Sequence, residues 1–384
     1  MYRLDPAQQA VVDRVRAVAD DAIAPHADDV DARGRFPAEA VKALGDAGLL
    51  GLTVPPAYGG LGHGPRVMAA ALDEVAQRCA STAMVYLMHL SGVAYYAARP
   101  DVAGDALRDA AAGRHLSTLA WSERGSRSHF WAPVGEAAVA DGQVTLQADK
   151  SWVTSAGIAD GYVVSSRAPG ATAPLDSALY FVRRDDPGLA VSGGWSALGM
   201  RGNASAPMRL DGTTIPEARR LSEPGKGMDA MLGIGLPLFA VGNAAVSLGI
   251  AEAAVASTAA HLTGHGFAHL GSRLADLPNL RARLAEMRLE TDRGRAHLAA
   301  VIDGLEQPGP TTMLRVLEAK AAGNETALRV TDLAMKACGG AAFSRHLTVE
   351  RNFRDARAGS VMAPTTDVLY DFIGKALCGM ELFA

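Results

Sequence analysis

Two short segments carry the residue types best suited to grip a flat, polar-edged ligand. They are Leu119-Ala120-Trp121-Ser122-Glu123 and Ser151-Trp152-Val153-Thr154-Ser155. In each, apolar positions alternate at strand period and lead to a tryptophan followed by small hydroxylated residues. An indole offers a flat apolar wall, while hydroxyls and backbone N–H groups offer short polar reach. A planar heteroaromatic cofactor needs both. Asp141-Gly142 supplies a turn between the segments, so a β-hairpin-like course can bring them together. An ordinary hairpin whose tryptophans fill a core would read the same way.

The elements that position these segments are legible from periodicity. Asp5-Pro6-Ala7-Gln8 combines an N-cap, a proline at the first helical position and a capping box. The helix that follows lines up Val11, Val12, Val15, Val18, Ala22 and Ile23 on one face, and a second runs from Pro37 to about Gly48. The prolines and glycines of residues 51–62 forbid regular structure and predict a rigid loop. Pro65 to Ala98 reads as a long helix or a pair, with His89 inside an otherwise apolar run. Leu116 to about Glu223 has strand periodicity, with Asp176–Val182, Leu189–Ser192 and Met208–Leu210 as further strands. Helical spacing returns after Gly225, with breaks near residues 264–271, 307–310 and 339–344, which predicts four long helices.

Composition bounds the partners. With 384 residues, 49% of them hydrophobic and 20% charged, the chain supports two or three packed domains. A net charge of −4 gives no electrostatic case for nucleic acid. Cys79, Cys338 and Cys378 are too scattered for a disulfide framework or a metal cluster, and they fit a reducing cytoplasm. The N-terminus shows no basic segment followed by an apolar run, so no signal peptide is expected. Ala230 to Ala251 lacks charge over a length that could span a bilayer, but its glycines, Pro237, Asn243 and Ser247 predict instead a helix buried on all sides, against other subunits.

The first segment continues Ser122-Glu123-Arg124-Gly125-Ser126-Arg127-Ser128-His129, which resembles the Thr-Glu-Pro-Gly-x-Gly-Ser-Asp run of the acyl-CoA dehydrogenase superfamily. Trp152-Val153-Thr154-Ser155 resembles its Trp-Ile-Thr-(Ser/Asn). Val54-Pro55-Pro56-Ala57-Tyr58-Gly59-Gly60-Leu61-Gly62, Leu198-Gly199-Met200-Arg201-Gly202-Asn203 and Arg354-Asp355-Ala356-Arg357 are similar to three further runs of that superfamily, in the same order. The resemblance covers nearly the whole chain. It implies an α+β fold, mainly α: an N-terminal helical domain over 1–115, a central antiparallel, flavin-binding β-domain over 116–224, and a C-terminal four-helix bundle over 225–384. It implies FAD as cofactor, with FMN as an alternative. Trp121, Ser122, Ser128, Trp152, Thr154, Ser155, Lys336, Gly339, Gly340, Thr365 and Asp367 would contact it. A homodimer or homotetramer, and an electron-transfer flavoprotein or flavin reductase as redox partner, are implied as well.

The departures bear on the reaction. In this superfamily a glutamate removes the acyl α-proton, and the resemblance puts that position at Ala363, or at Phe239 for a second branch. A methyl group and a phenyl ring cannot accept a proton. No glutamate lies between Val361 and Gly379 or between Ala230 and Ala251. An arginine that normally reaches the flavin pyrophosphate is missing ahead of Phe267-Ala268-His269-Leu270-Gly271, and Lys336 could replace its charge or be a solvated helix-face lysine. Three readings follow: desaturation of an acyl thioester, on CoA or a carrier protein, by a non-standard base; oxygenation of a small heteroatom compound by reduced flavin and O₂; or a non-catalytic flavoprotein-like subunit. His89, Ser128 and His129 are the candidate proton-transfer residues. His89 has a second reading, as a histidine satisfied inside the helical core.

Overall fold

The computed structural model describes residues 2–127, 129–173 and 175–382. Six helices come first: α1 (Pro6–Val18), α2 (Ala27–Arg33), α3 (Ala38–Asp46), α4 (Pro65–Ala76), α5 (Ala80–Ala98) and α6 (Pro100–Ala111). The start of α1 is set as its sequence predicts. Asp5 Oδ1 accepts from Gln8 N at 2.8 Å, and Gln8 Oε1 accepts from Asp5 N at 3.1 Å. The stretch from Pro65 to Ala98 is a pair, α4 and α5, broken around Gln77–Cys79. In the loop before it, a Cβ on Gly60 would stand 2.2 Å from the Val54 carbonyl oxygen. Only glycine lets the loop fold back that closely.

The middle of the chain forms two sheets. β1 (Ser117–Ala120), β4 (Gly161–Arg167) and β5 (Ser177–Arg183) lie in the order β1-β4-β5. β2 (Glu136–Ala140), β3 (Gln143–Val153), β7 (Ala206–Pro216) and β6 (Leu189–Val191) lie in the order β2-β3-β7-β6. Pairing is antiparallel except that β1 runs parallel to β4. β3 alternates buried and exposed residues along most of its length, as a half-buried strand must. Val144, Leu146, Tyr162, Val164, Tyr180, Leu210 and Ile215 form the core of this domain.

The C-terminal part holds α7 (Gly227–Ala230), α8 (Leu236–Gly264), α9 (Pro278–Glu306), α10 (Thr312–Cys338), α11 (Gly340–Phe343), α12 (Val349–Val361) and α13 (Thr366–Leu377). Three helices are long; α12 and α13 share the place of the expected fourth. Much of the apolar stretch of α8 is covered within its own chain. A Cβ on Gly242 would meet Leu87 Cδ1 at 2.3 Å, one on Gly249 would meet the Asp73 carbonyl oxygen at 2.5 Å, and one on Gly323 of α10 would meet Ala244 at 2.9 Å. Its small residues thus serve close contact with α4, α5 and α10 of its own chain. Within the segment Gly227–Gly264, 78% of the most apolar window is buried inside the protein, which marks a core helix.

The two tryptophan-bearing segments lie side by side but not as a hairpin: β1 pairs with β4 in one sheet, β3 pairs with β2 and β7 in the other, and Asp141-Gly142 turns β2 into β3. Ser151 N donates to Ser122 O at 2.8 Å, and Lys150 Nζ donates to Glu123 Oε1 at 2.5 Å. Lys150 and Glu123 are almost wholly buried. The lysine also reaches Ser165 O at 2.6 Å, and the N–H groups of Val134 and Gly135 donate to Glu123 Oε2. Burial alone pushes the Lys150 pKa down, against the pull of Glu123. Removing one partner strands the other charge in a dry site, whereas replacing both spares that cost. Glu123→Ala is expected to destabilise the protein by about 3–5 kcal/mol, and Glu123→Leu combined with Lys150→Met by clearly less. Urea unfolding of the three proteins, followed by tryptophan fluorescence, checks this ordering.

Candidate active site

Trp121 is buried, with its ring edge-on to Tyr95 at 5.5 Å and stacked on Phe130 at 5.5 Å and 21°. Phe130 meets Trp131 edge-on at 5.1 Å, and Trp131 is tilted against Phe372 of α13 at 5.5 Å. A layer of aromatic rings therefore joins the end of β1 to the last helix. His129 stacks on Trp131 at 4.9 Å and 22°. Outside this layer opens a groove of about 470 Å³, lined by His129, Trp131, Asp367, Phe372 and Lys375 among others. Two residues singled out from the sequence, His129 and Asp367, thus share one groove. Ser128 lies outside the described residues.

The second segment is held differently. Trp152 is 68% exposed and meets Trp195 edge-on at 6.0 Å. Thr154 Oγ1 lies 3.0 Å from Ser205 Oγ, and Ser155 N donates to Asn203 O at 3.0 Å. Trp152, Ser155, Met200 and Ala204 all have positive φ, between 47° and 60°. That backbone is costly for residues with a side chain, and such residues gather at functional sites. The buried Trp121 Nε1 and Ser155 Oγ find no protein partner among the described residues, and neither does Thr366 Oγ1 at the start of α13. Orphaned buried polar atoms of this kind match a ligand with hydrogen-bonding edges.

The turn beyond Thr154 is pinned to α12. Asp355 Oδ1 accepts from Met200 N at 2.6 Å, and a Cβ on Gly199 would stand 2.4 Å from the Arg354 carbonyl oxygen. Burial pushes the Asp355 carboxyl up to about 6.

Other candidates are placed elsewhere. Lys336 is paired with Asp332 at 2.6 Å on an exposed helix face. Gly339, with φ 58°, caps the end of α10 and Gly340 opens α11, both exposed. Thr365 occupies the N-cap position of α13 without a side-chain capping bond.

His89 does not line a pocket. It is wholly buried, and its Nδ1 accepts from Ser117 N at 3.1 Å. Nε2 therefore carries the proton and donates to Leu50 O at 2.8 Å. The imidazole staples α5 to β1 and to the loop after α3, so its core reading replaces its proposed proton-transfer role.

Ala363 and Phe239, the two positions where the family resemblance places a base, border one side chain that sequence reasoning missed. Lys320 of α10 is wholly buried. Its Nζ donates to the carbonyls of Gly359 at 3.2 Å, Met362 at 3.1 Å and Pro364 at 2.9 Å, and lies 6.0 Å from the centre of the Phe239 ring. Burial, with no charged group to offset it, pushes its pKa down to about 7. The available signal was a lone lysine on the buried stripe Val316, Leu317, Ala321, Asn324 and Ala327.

Three family models cover the chain in order: "Acyl-CoA dehydrogenase, N-terminal domain" over residues 5–112, the middle domain over 118–213 and the C-terminal domain over 225–378. The chain belongs to the acyl-CoA dehydrogenase family. It is 28% identical to a probable acyl-CoA dehydrogenase of Bacillus subtilis, across 98% of this chain and 99% of that one. It is 27% identical to a cyclohex-1-ene-1-carbonyl-CoA dehydrogenase of Geobacter metallireducens, again across 98% and 99%. The fold matches that of butyryl-CoA dehydrogenase from Megasphaera elsdenii with a TM-score of 0.91, at 22% identity and 98% and 99% coverage. Acyl-CoA dehydrogenases are FAD-dependent oxidoreductases. Ala363 and Phe239, where the resemblance places the base, are both apolar and border buried Lys320.

His89 makes stability depend on pH. Burial lowers its pKa to about 4 in the folded protein, below the ordinary 6.5. The folded state then binds fewer protons than the unfolded one, so its contribution is complete above pH 6.5 and is lost as pH falls towards 4. Between pH 7.5 and 5 this amounts to about 2 kcal/mol. Urea midpoints across that range should fall in the parent protein and fall by distinctly less in His89→Gln.

Proposed function

We propose that this acyl-CoA dehydrogenase homologue binds FAD and desaturates an acyl thioester, carried on CoA or on a carrier protein, in the cytoplasm. The observation that carries this reading is the unbroken match of all three family domains along the chain. Trp121, Ser122, Ser128, Trp152, Thr154 and Ser155 would hold the flavin ring, and Thr365 and Asp367 would contact it from α13. The orphaned Trp121 Nε1 and Ser155 Oγ support the ring end. Lys336, committed to Asp332, contributes less at the phosphate end beside Gly339 and Gly340. Bound flavin supplies hydride acceptance; the protein must orient the acyl chain, exclude water and receive the α-proton. His129, whose ring lines the groove, is the base we assign. An electron-transfer flavoprotein would reoxidise the cofactor, and the working form would be a homodimer or homotetramer.

A second reading, oxygenation of a small heteroatom compound by reduced flavin from a reductase, is favoured by one observation. Ala363 and Phe239 themselves carry no carboxylate, and among the described residues no charged group offsets the burial of Lys320. Oxygenation needs no α-proton base there.

Two measurements separate these readings. Anaerobic titration of the flavin-loaded protein with a panel of acyl thioesters should bleach the flavin, and His129→Gln should slow bleaching by about 100-fold or more without changing the flavin spectrum. Ala363→Glu should improve desaturation of a simple acyl-CoA. A stable, flavin-loaded Ala363→Glu protein with no gain, together with oxygen uptake and an oxygenated product when a flavin reductase and NADH are supplied, would give the reaction to the oxygenase.

A further inference from the structure

We propose that Lys320 is a positioning residue of the pocket end: its ammonium caps α12 and holds the Met362–Pro364 turn, so that the place and the electrostatic surroundings of the side chain at 363 are set from α10. A helix leaves its last carbonyls without intrahelical partners. Here α12 ends at Val361, and Met362 N still reaches Ala358 O at 3.1 Å. Pro364 has no N–H with which to continue the pattern. The carbonyls of Gly359, Met362 and Pro364 are instead gathered by one Nζ. An ammonium has three donors and no acceptor, so three carbonyls satisfy it completely. The negative end of the α12 dipole adds to the fit.

A second tier supports the cap. Asn324, one turn along α10 from Lys320, donates from Nδ2 to Gly359 O at 3.0 Å, and its Oδ1 accepts from Ser247 Oγ of α8 at 2.8 Å. A Cβ at 359 would stand 2.4 Å from Asn324 Oδ1, so the approach requires glycine. The turn is thereby tied to two long helices of the bundle. Because Nζ bonds the carbonyls on both sides of Ala363, whatever stands at 363 lies within a few ångströms of a buried positive charge, which favours an anion there. The inference concerns the same pocket as the proposed reaction, but its test does not use that reaction.

A thiol placed at 363 reports the charge directly, because only its thiolate is alkylated and a nearby cation lowers its pKa. Exposed Cys378 is first changed to Ser; Cys79 and Cys338 are buried. In Ala363→Cys, iodoacetamide alkylation measured between pH 6 and 7, where Lys320 carries its charge, should be faster than that of a free thiol with a pKa of about 8.5. Adding Lys320→Met, or Lys320→Gln, which keeps donors without charge, should slow it in that range by roughly tenfold, about one unit of thiol pKa. A purely structural lysine would lower the melting temperature and leave the rate alone. An unchanged rate in either folded variant overturns the proposal. If neither variant folds, a rate in Ala363→Cys at or below that of a free thiol overturns it.

Discussion

The three domains depend on the charged face of α12. Arg354 pairs with Asp31 at 2.6 Å and Glu350 at 2.8 Å, and donates to the Leu198 carbonyl at 3.1 Å. One guanidinium thus ties the N-terminal helices, the β-domain and the bundle. Asp355, next in sequence, accepts from Met200 N, while Arg351 reaches Asp28 and the Arg78 carbonyl. Arginine suits this role because its planar fork serves several acceptors at once and keeps its charge when buried. The Arg-Asp-Ala-Arg run is therefore a joint between domains before it is a neighbour of any substrate.

That joint explains why the pocket end can be precise without strong local structure. The turn after α12 has few bonds of its own. It inherits position from the joint on one side and from Lys320 on the other. The turn carrying Met200 is fixed to α12 by Asp355, and the Thr154 segment is fixed to the same turn through Asn203, Ala204 and Ser205. The Thr154 segment and the turn at 362–364 are thus both referred to one helix, and a shift of α12 would move both.

Buried charge recurs in this protein, but with two kinds of compensation. Lys150–Glu123 and Arg295–Asp73 are ion pairs, in which loss of one partner leaves an unpaired charge. Lys320 has only carbonyl dipoles, which offset desolvation less completely than a carboxylate would. Its depressed pKa is the expression of that difference. The apolar neighbours Ala363 and Phe239 leave the charge otherwise unanswered, and this separates the site from one built around a glutamate.

The sequence by itself determined what depends on near neighbours along the chain. The Asp5–Gln8 capping box starts α1, glycines and prolines shape the loop before α4, and the change of hydrophobic period marks where helices give way to strands and return. It did not show how the Trp121 and Trp152 segments meet: they belong to different sheets and touch through the Glu123–Lys150 bridge, not as two arms of a hairpin. The tertiary structure decided what depends on which surface a distant residue presents. A histidine in an apolar helix has one sequence signature whether it faces a pocket or a carbonyl, and only the Leu50 oxygen and Ser117 N–H, brought in from either side, settle His89 in the core. The uncharged run in α8 did not say what would cover it; α4, α5 and α10 of the same chain supply much of that cover. Lys336 and Lys320 are two lysines of one helix, sixteen residues apart, and only the apolar stripe around Lys320 hints at their difference. Packing left one in water beside Asp332 and enclosed the other beneath Ala363, because burial is fixed by neighbours that local sequence does not contain.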